Sequence, residues 1–315
     1  MSVLATRPWS ASLLAAVVGL ALLAPVLPLR DPADQPDGLV LADRPPLWST
    51  TALRMRDGTL RYGERIAETG GAYTRERAGR TETIPASEVA SVEHPRFLLG
   101  TDGYGRDLLS RLVWGARTSL LVGVVAAALA LLVGAIVGLT AGWSGGILDA
   151  LLMRATDAAL SIPRLFLALC LAALWGSSLA TTVLVLGLTS WMGAARLVRG
   201  EVLSARERDY VRAAEASGAR SIAIALRHLL PAAAGVLAAE AALRVGSAVL
   251  LEATMSFLGL GVPAPAPSWG NVLADGRDRL ATAPWIATLP GLALALTVAA
   301  VARLSEPFAG EVRSP

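Results

Sequence analysis

Long apolar runs alternate with charged stretches along this chain, and the runs have the length of a membrane crossing. A spanning helix needs about 20 mostly apolar residues. Residues 10–29, SASLLAAVVGLALLAPVLPL, form the first run, with Arg7 ahead of it. A cleaved signal peptide has the same charged start and apolar core, but the many later runs favour a retained helix. The second run, 118–139, is uninterrupted, and Gly142, Gly145 and Gly146 signal a turn after it. From Leu165 to Ala195 there is no charge, which is too long for one crossing. Gly176-Ser177-Ser178 divides that stretch into spans at about 158–176 and 179–197. The third span is entered through Ile162-Pro163, with Arg154 and Arg164 able to snorkel to the interface. The fifth and sixth spans fall at about 232–256 and 284–302.

Six crossings put both termini on one side. The loop 196–230 carries seven Arg and four acids, and Arg7, Arg303 and Arg313 fall on the same side as this loop. The excess of Arg in a short loop marks that side as cytoplasmic. The Arg-rich stretch 44–117 then lies outside, and it is long enough to escape the rule. Residues 30–116 are polar, with irregular chain at DPADQPDGLVLADRPP. In ALRMRDGTLRYGERI, Asp57-Gly58 predicts the turn of a β-hairpin.

Composition sharpens this picture. The chain is 54% hydrophobic with a mean hydropathy of +0.55, and only 17% of its residues are charged. A soluble domain carries about 25% charged residues. All 28 cationic side chains are Arg. Without Lys the chain holds no P-loop, which needs one to reach the β- and γ-phosphates, and no Schiff-base chemistry. The net charge of +3 and pI near 9.6 follow from Arg flanking spans, and no basic and aromatic cluster points to nucleic acid. Cys170 is alone and His94 and His228 are far apart, so neither a disulfide, a metal nor a cofactor is expected.

The segment 196–230 is the most informative. Glu201 to Ser217 has helix-forming composition, Gly218 stands at a C-terminal cap position, and Ser221 is placed to cap a second helix, SIAIALRHLL. Pro231 then opens the fifth span, where a missing N–H costs little. Ala213 and Ala214 leave a helix face without bulk. Spacing alone leaves two readings open: an amphipathic connector touching anionic lipid, or a platform for another protein.

RAAEASGARSIAIALRHLLP resembles the EAA loop of ATP-binding-cassette (ABC) transporter permeases, at Ala213, Ala214, Gly218, Leu230 and Pro231. In that family the loop forms a coupling helix that docks in a groove of the ATP-binding subunit. Arg212 stands where the family usually has Glu, which reverses the charge at the motif's first position. Three further stretches resemble the dipeptide, oligopeptide and nickel group. GTDGYGRDLLSRLVWGARTSLLVG carries an N-terminal signature at Gly100, Thr101, Asp102, Gly105, Arg106, Asp107, Ser110 and Arg111. WMGAARLVRGEVLSARERDYV leads into the coupling loop, and SFLGLGVPAPAPSWGNVLADGR precedes the last helix. The pattern fits the second, C-type permease of such systems. The long link 31–93 departs from the group, as does Arg96-Phe97-Leu98 between His94-Pro95 and Leu99-Gly100. Such an insert either contacts a binding protein or is an inert insertion, which costs little thermodynamically.

The resemblance implies an all-α polytopic membrane protein of six transmembrane helices, the type I ABC importer permease fold, with an extracytoplasmic insert after the first helix. The expected organisation is a tail and first helix at 1–30, insert and signature at 31–116, permease domain at 117–305 with its coupling loop at 199–231, and a tail at 306–315. It implies a multi-pass subunit of the inner or plasma membrane that does no covalent chemistry. Its partners would be a homologous permease, two ATP-binding subunits, an extracytoplasmic substrate-binding protein and the lipid bilayer. A secondary transporter or channel working without ATP is the alternative; it would need a coupling-ion site or internal repeats. Within the fifth span, Glu240 and Arg244 are four residues apart and can pair on one face. They line a pathway or form a structural pair; Glu252 lies nearer the outer end. Gly134 and Gly138 make a GxxxG on the second span, which permits close packing without naming a partner.

Overall fold

The computed structural model describes residues 8–311, with side chains at 9–305. Arg7, Arg313 and all side chains of the tail at 306–315 lie outside the described residues. In chain order, α1 (Pro8–Leu23) leads to a short α2 (Gly38–Leu41) and eight strands: β1 (Trp48–Ser49), β2 (Ala52–Met55), β3 (Leu60–Tyr62), β4 (Arg65–Thr69), β5 (Ala72–Arg77), β6 (Arg80–Pro85), β7 (Val89–Glu93) and β8 (Arg96–Phe97). The remainder is helical: α3 (Leu108–Ser144), α4 (Gly146–Ser161), α5 (Arg164–Trp175), α6 (Leu179–Leu188), α7 (Met192–Arg206), α8 (Asp209–Ala216), α9 (Ser221–Ile224), α10 (Leu230–Phe257), α11 (Trp269–Gly276) and α12 (Trp285–Glu311).

Among the described residues, three helices are long and apolar enough to cross a membrane: Leu108–Ser144, Ser221–Phe257 and Trp285–Ser305. Two bent pairs raise this to five if each is one span: α4 with α5 at 87°, and α6 with α7 at 42°. The apolar part of α1, Trp9–Leu23, is shorter. Its expected extension to residue 29 fails because Pro25 and Pro28 cannot continue a helix and bias the residues before them toward extended backbone. The second span, conversely, starts ten residues earlier than the apolar run, and Gly142 is helical rather than part of a turn.

Where the third and fourth spans are expected, the helices are broken rather than straight. Pro163 lacks an N–H, and Ile162 before it is extended at φ −87° and ψ 126°, which separates α4 from α5. At the second break the Thr189 hydroxyl donates to Val185 O at 2.7 Å and the Ser190 hydroxyl bonds to Leu186 O, so side chains compete with the backbone ladder.

By packing, the chain divides into two compact units, one built on Ser119–Pro263 with parts of the terminal helices, the other on Gly19–Thr118 and Ala264–Ala293. In the first, Val122, Ala126, Ala168, Ala172, Val185, Leu186, Ala248 and Met255 belong to one buried apolar cluster. Leu121, Val125, Leu132 and Ile136 are exposed at helical spacing along α3, an apolar stripe suited to lipid.

The second unit holds all eight strands, so the all-α class applies to the spans and not to the insert. Its sheets run β1-β8, β3-β2-β7 and β4-β5-β6, every pairing antiparallel. The hairpin at Asp57-Gly58 forms as expected: Gly58 has φ +87°, and the Asp57 carboxylate accepts from Thr59 N at 2.8 Å and Thr59 Oγ1 at 2.6 Å. Asp37 organises one end. It caps α2 and receives Arg75 Nη2 and Arg77 Nε, each at 2.8 Å.

Candidate functional site

The segment that joins α7 to α10 is built from the inside outward. Val198, Val202 and Ala205 of α7 form a cluster with Val211 of α8, Ile224 of α9, Leu229 and Ala233. Every one of these is almost fully buried, and Val211 pins α8 to the cluster with Ala214 packed partly beside it. Its opposite side, including Arg212, Ala213, Glu215 and Ala216, is exposed. Ala213 and Ala214 do not share a face: successive helical residues differ by about 100°, and Ala214 packs on the buried cluster while Ala213 points away.

The helix expected over Glu201–Ser217 is two helices, since α7 ends at Arg206 and the extended Arg208 precedes α8, but α8 ends as its composition predicts. Gly218 has φ +77°; its N–H donates to Glu215 O at 2.9 Å, and Ala219 N donates to Ala214 O at 3.1 Å. These two bonds are the Schellman pattern that closes a helix on a left-handed residue. The next helix departs from expectation. Ser221 is its first residue rather than its cap, and Arg220 at the cap position makes no side-chain cap bond. Helix α9 also does not stop before the span. A π-wound turn, Ala225–Leu229, with Leu230 N donating to Ala225 O, carries it into α10. Pro231 sits in the first turn of α10 beside this π turn, a wide winding that tolerates its missing N–H. Arg206, Glu207 and Leu203 of the α7 end border an open cleft of about 410 Å³ with Arg212 and Glu215.

Helix α7 is held on three sides. Gly134, Gly138 and Gly142 of α3 form a stripe against it. A Cβ at Gly134 would lie 2.6 Å from Ala194 Cβ, at Gly138 2.6 Å from Ala195 O, and at Gly142 2.8 Å from Val202 Cγ1. The GxxxG therefore has a named partner and extends by one more turn. On the second side Arg199 grips Asp149 of α4 with both arms, at 2.5 and 2.6 Å, and Arg196 pairs with Asp157. On the third, Arg244 of α10 donates to Ser190 O at the α6–α7 break. Arg244 also pairs with Glu240 at 2.5 Å, one turn away as the spacing predicts.

Glu252 is fully buried and belongs to a separate network. It accepts from Ser119 Oγ of α3 and from Ser256 Oγ, both at 2.7 Å, and Ser256 Oγ in turn accepts from Val262 N at 3.0 Å. One carboxylate thus ties α3, α10 and the following loop.

In the second unit the signature residues assemble around Asp102, which is wholly buried. Its carboxylate accepts from Tyr104 N, Arg106 N and Arg106 Nε at 2.9, 3.0 and 2.6 Å. Arg106 and Arg111 both continue to Asp275, at 2.7 and 3.0 Å. Two acids and two guanidiniums close a neutral cluster. Gly100 and Gly105 have φ +79° and +80°, and a Cβ on Gly100 would collide with Arg44 O. Thr101 Oγ1 bonds to Leu41 O and receives Arg44 N at 2.9 Å. Asp107 accepts from Leu109 N at 3.1 Å; burial pushes its carboxyl above the usual range, with Arg30 opposing. Asp275, Ser119, Ser190 and Asp149 were not singled out by the sequence reading. Each matters through a partner dozens of residues away, which local spacing does not display.

Residues 130–309 match the family described as binding-protein-dependent transport system inner membrane component. The chain belongs to this family. It is a membrane transport subunit and not an enzyme. The di/tripeptide transport system permease protein of Pseudomonas aeruginosa is 42% identical over 206 residues, 65% of this chain and 68% of that one. The dipeptide transport system permease protein of Alkalihalophilus pseudofirmus is 38% identical, covering 69% of this chain and 71% of its own. The oligopeptide transport system permease protein of Haemophilus influenzae is 39% identical over 63% and 64%. A solved structure of the MetNI methionine ABC transporter in inward facing conformations resembles the fold with a TM-score of 0.50 at 19% identity, covering 66% of this chain and 98% of that one. As an inner membrane component of this family, the chain gives no support to the ATP-independent alternative.

Proposed function

We propose that the chain is the second of two homologous permease subunits in an ABC importer of short peptides. Two ATP-binding subunits would dock from the cytoplasm and an extracytoplasmic binding protein would deliver cargo. The 42% identity to a di/tripeptide permease carries this reading. The six spans would be α1, α3, the bent pairs α4–α5 and α6–α7, α10 and α12, with both termini cytoplasmic. Residues 31–116 then face outward as an insert followed by the signature, 117–305 form the permease domain, and 306–315 the tail.

The coupling loop, 199–231, would dock α8 in the ATPase. Support comes from an outer face carrying Ala213 without bulk, over an inner face locked by Val211. Ala213 is the residue where bulk tests docking, since bulk at Ala214 would disturb the subunit's own core. Arg212, exposed beside Glu215, would meet an acid on the partner. Gly218, Leu230 and Pro231 would set the angle between α8 and the fifth span. Closure of the ATPase dimer would move this segment as a rigid lever.

Co-purification with the cognate ATPases tests the docking. Ala213→Trp should abolish it, while Leu203→Trp on α7 should weaken it less; full ATPase retention by Ala213→Trp would sink the assignment. Side is tested by cysteine labelling in a Cys170→Ser background: position 213 should react only from the cytoplasm and position 68 only from outside.

A further inference from the structure

Three helices of the spanning unit place polar side chains one turn beyond the same apolar cluster. Ala168 of α5, Leu186 of α6 and Ala248 of α10 meet in that cluster. Four residues along from each stand Arg164, Ser190 and Arg244, the spacing that keeps residues on one helix face. Two contacts tie this layer together: Ser190 Oγ bonds to Leu186 O, and Arg244 donates to Ser190 O. Gly193 leaves room for the Arg244 guanidinium, since a Cβ there would lie 2.7 Å from Nη2. Arg164 and Arg244 are close enough for their charges to repel.

This layer is short of negative charge. It holds two guanidiniums and one carboxylate, and Glu240 is engaged by Arg244 at 2.5 Å. Among the described residues Arg164 has no ion pair or hydrogen-bond partner for its guanidinium, and the Nε atoms of Arg164 and Arg244 are both shut off from solvent without a partner. The Arg164 side chain is partly exposed, so an anion can reach its Nη groups, and a cation at membrane depth gains from one. The backbone adds the same polarity. Helices α5 and α7 both begin at this level, at the two breaks, and neither has a side-chain N-cap. Their free N–H groups and positive dipole ends favour negative charge.

We propose that Arg164 and Arg244 form an anion subsite that receives a carboxylate of the transported solute, the C-terminal carboxylate where the cargo is a short peptide. This rests on the peptide reading above. Arg244 is fixed by Glu240 and Ser190, so it presents a preset arm. Arg164 supplies the unspent charge. A carboxylate between them would be held by charge-assisted bonds from both sides, and the broken helices give it backbone donors within membrane depth.

The test uses the assembled transporter in proteoliposomes with its binding protein saturating. Uptake of dialanine and of dialanine amide is compared for the wild type, Arg164→Gln, Arg164→Lys and Arg154→Gln. The expected result is that wild type prefers the free acid, Arg164→Gln lowers free-acid uptake by roughly tenfold or more with amide uptake unchanged, and Arg164→Lys recovers most of the loss. Arg154→Gln, an exposed charge on α4, should behave as wild type. Unchanged free-acid uptake in Arg164→Gln overturns the subsite, as does an equal fall for acid and amide, which would mark a structural or lipid-anchoring arginine. A wild type that carries neither peptide overturns the peptide reading itself, and the subsite as stated with it.

Discussion

Replacing Gly138 by alanine should loosen the contact between α3 and α7, and the size of the effect follows from what the new methyl meets. It would lie 2.6 Å from Ala195 O, 2.8 Å from Val198 Cβ and 3.0 Å from Arg199 N. Two of these neighbours are backbone atoms and cannot rotate away, so the helices must separate by some tenths of an ångström. Overpacking of this kind costs about 1–3 kcal/mol. Against it stands the gain in helix propensity from Gly to Ala, about 1 kcal/mol. The net loss is then about 0–2 kcal/mol. Gly200 on α7 supplies the control, because a Cβ there has nothing within 4 Å. Gly200→Ala should keep the propensity gain, so the two variants should differ by about 1–3 kcal/mol in opposite directions around wild type. Gly138→Leu should fall further. The assay is unfolding in mixed micelles, titrated with a denaturing detergent and followed by helical circular dichroism. If Gly138→Ala unfolds at the same detergent fraction as Gly200→Ala, the close approach is not what holds α7.

Asp102→Asn should destabilise the second unit by about 3–5 kcal/mol, the cost of removing one partner from a buried ion network, and lower the folded yield; a yield equal to wild type refutes the network's role. Gly218→Val should cost about 1–2 kcal/mol, the penalty for a side chain in left-handed backbone, and speed hydrogen exchange in α8 while leaving that in α10 unchanged. Asp107 carries a pH signature. Its carboxyl is raised in the folded chain by burial, so the folded state binds that proton more tightly and loses stability as pH rises from the ordinary aspartate value, about 3.9, through the higher folded value. Asp107→Asn should therefore gain thermal stability over wild type across that rise and show no gain below it; a gain that does not vary with pH would contradict the sign.

What the sequence displayed and what it hid divide along the range of the interactions. The hairpin at Asp57-Gly58, the cap at Gly218 and the Glu240–Arg244 pair depend on residues close together in the chain, and these were legible; of the expected spans, the three long helices were, while the first is shorter than expected. The breaks were half legible: Pro163 stood in view, yet its position inside an apolar run reads equally as a helix start. The break at 189–191 was hidden, because Thr and Ser in an apolar stretch reveal their backbone bonds only once folded. The signature around Asp102 could be recognised as a pattern, but its reason could not. Asp275 completes the charge balance from 169 residues beyond Arg106, and no local rule links them. Ser119 with Glu252, 133 residues apart, is the same case.

The segment proposed for docking is connected to the spans by contacts that differ in kind, which bears on how a push on α8 would travel. Val211 ties α8 to α7 through apolar packing, which resists separation but permits small sliding. The glycine stripe ties α7 to α3 by backbone approach, and Arg199–Asp149 ties it to α4 by a two-armed ion pair. Both of these hold direction as well as distance. Helix α7 is thus the element least free to move alone, and motion reaching it would carry α3 and α4 with it. Its N-terminal end meets Arg244 at the Ser190 carbonyl. The same helix also packs on α10 through Val198 and Val202 against Ala233, so apolar contact joins the two helices besides that bond. A lever entering through α8 would therefore carry α7 and the start of α10 as one body, up to the break before Met192. Val202→Ser, which loosens that joint without touching Arg164 or Arg244, should lower transport more than it lowers ATP hydrolysis. Equal losses in both would mean that force does not pass through this joint.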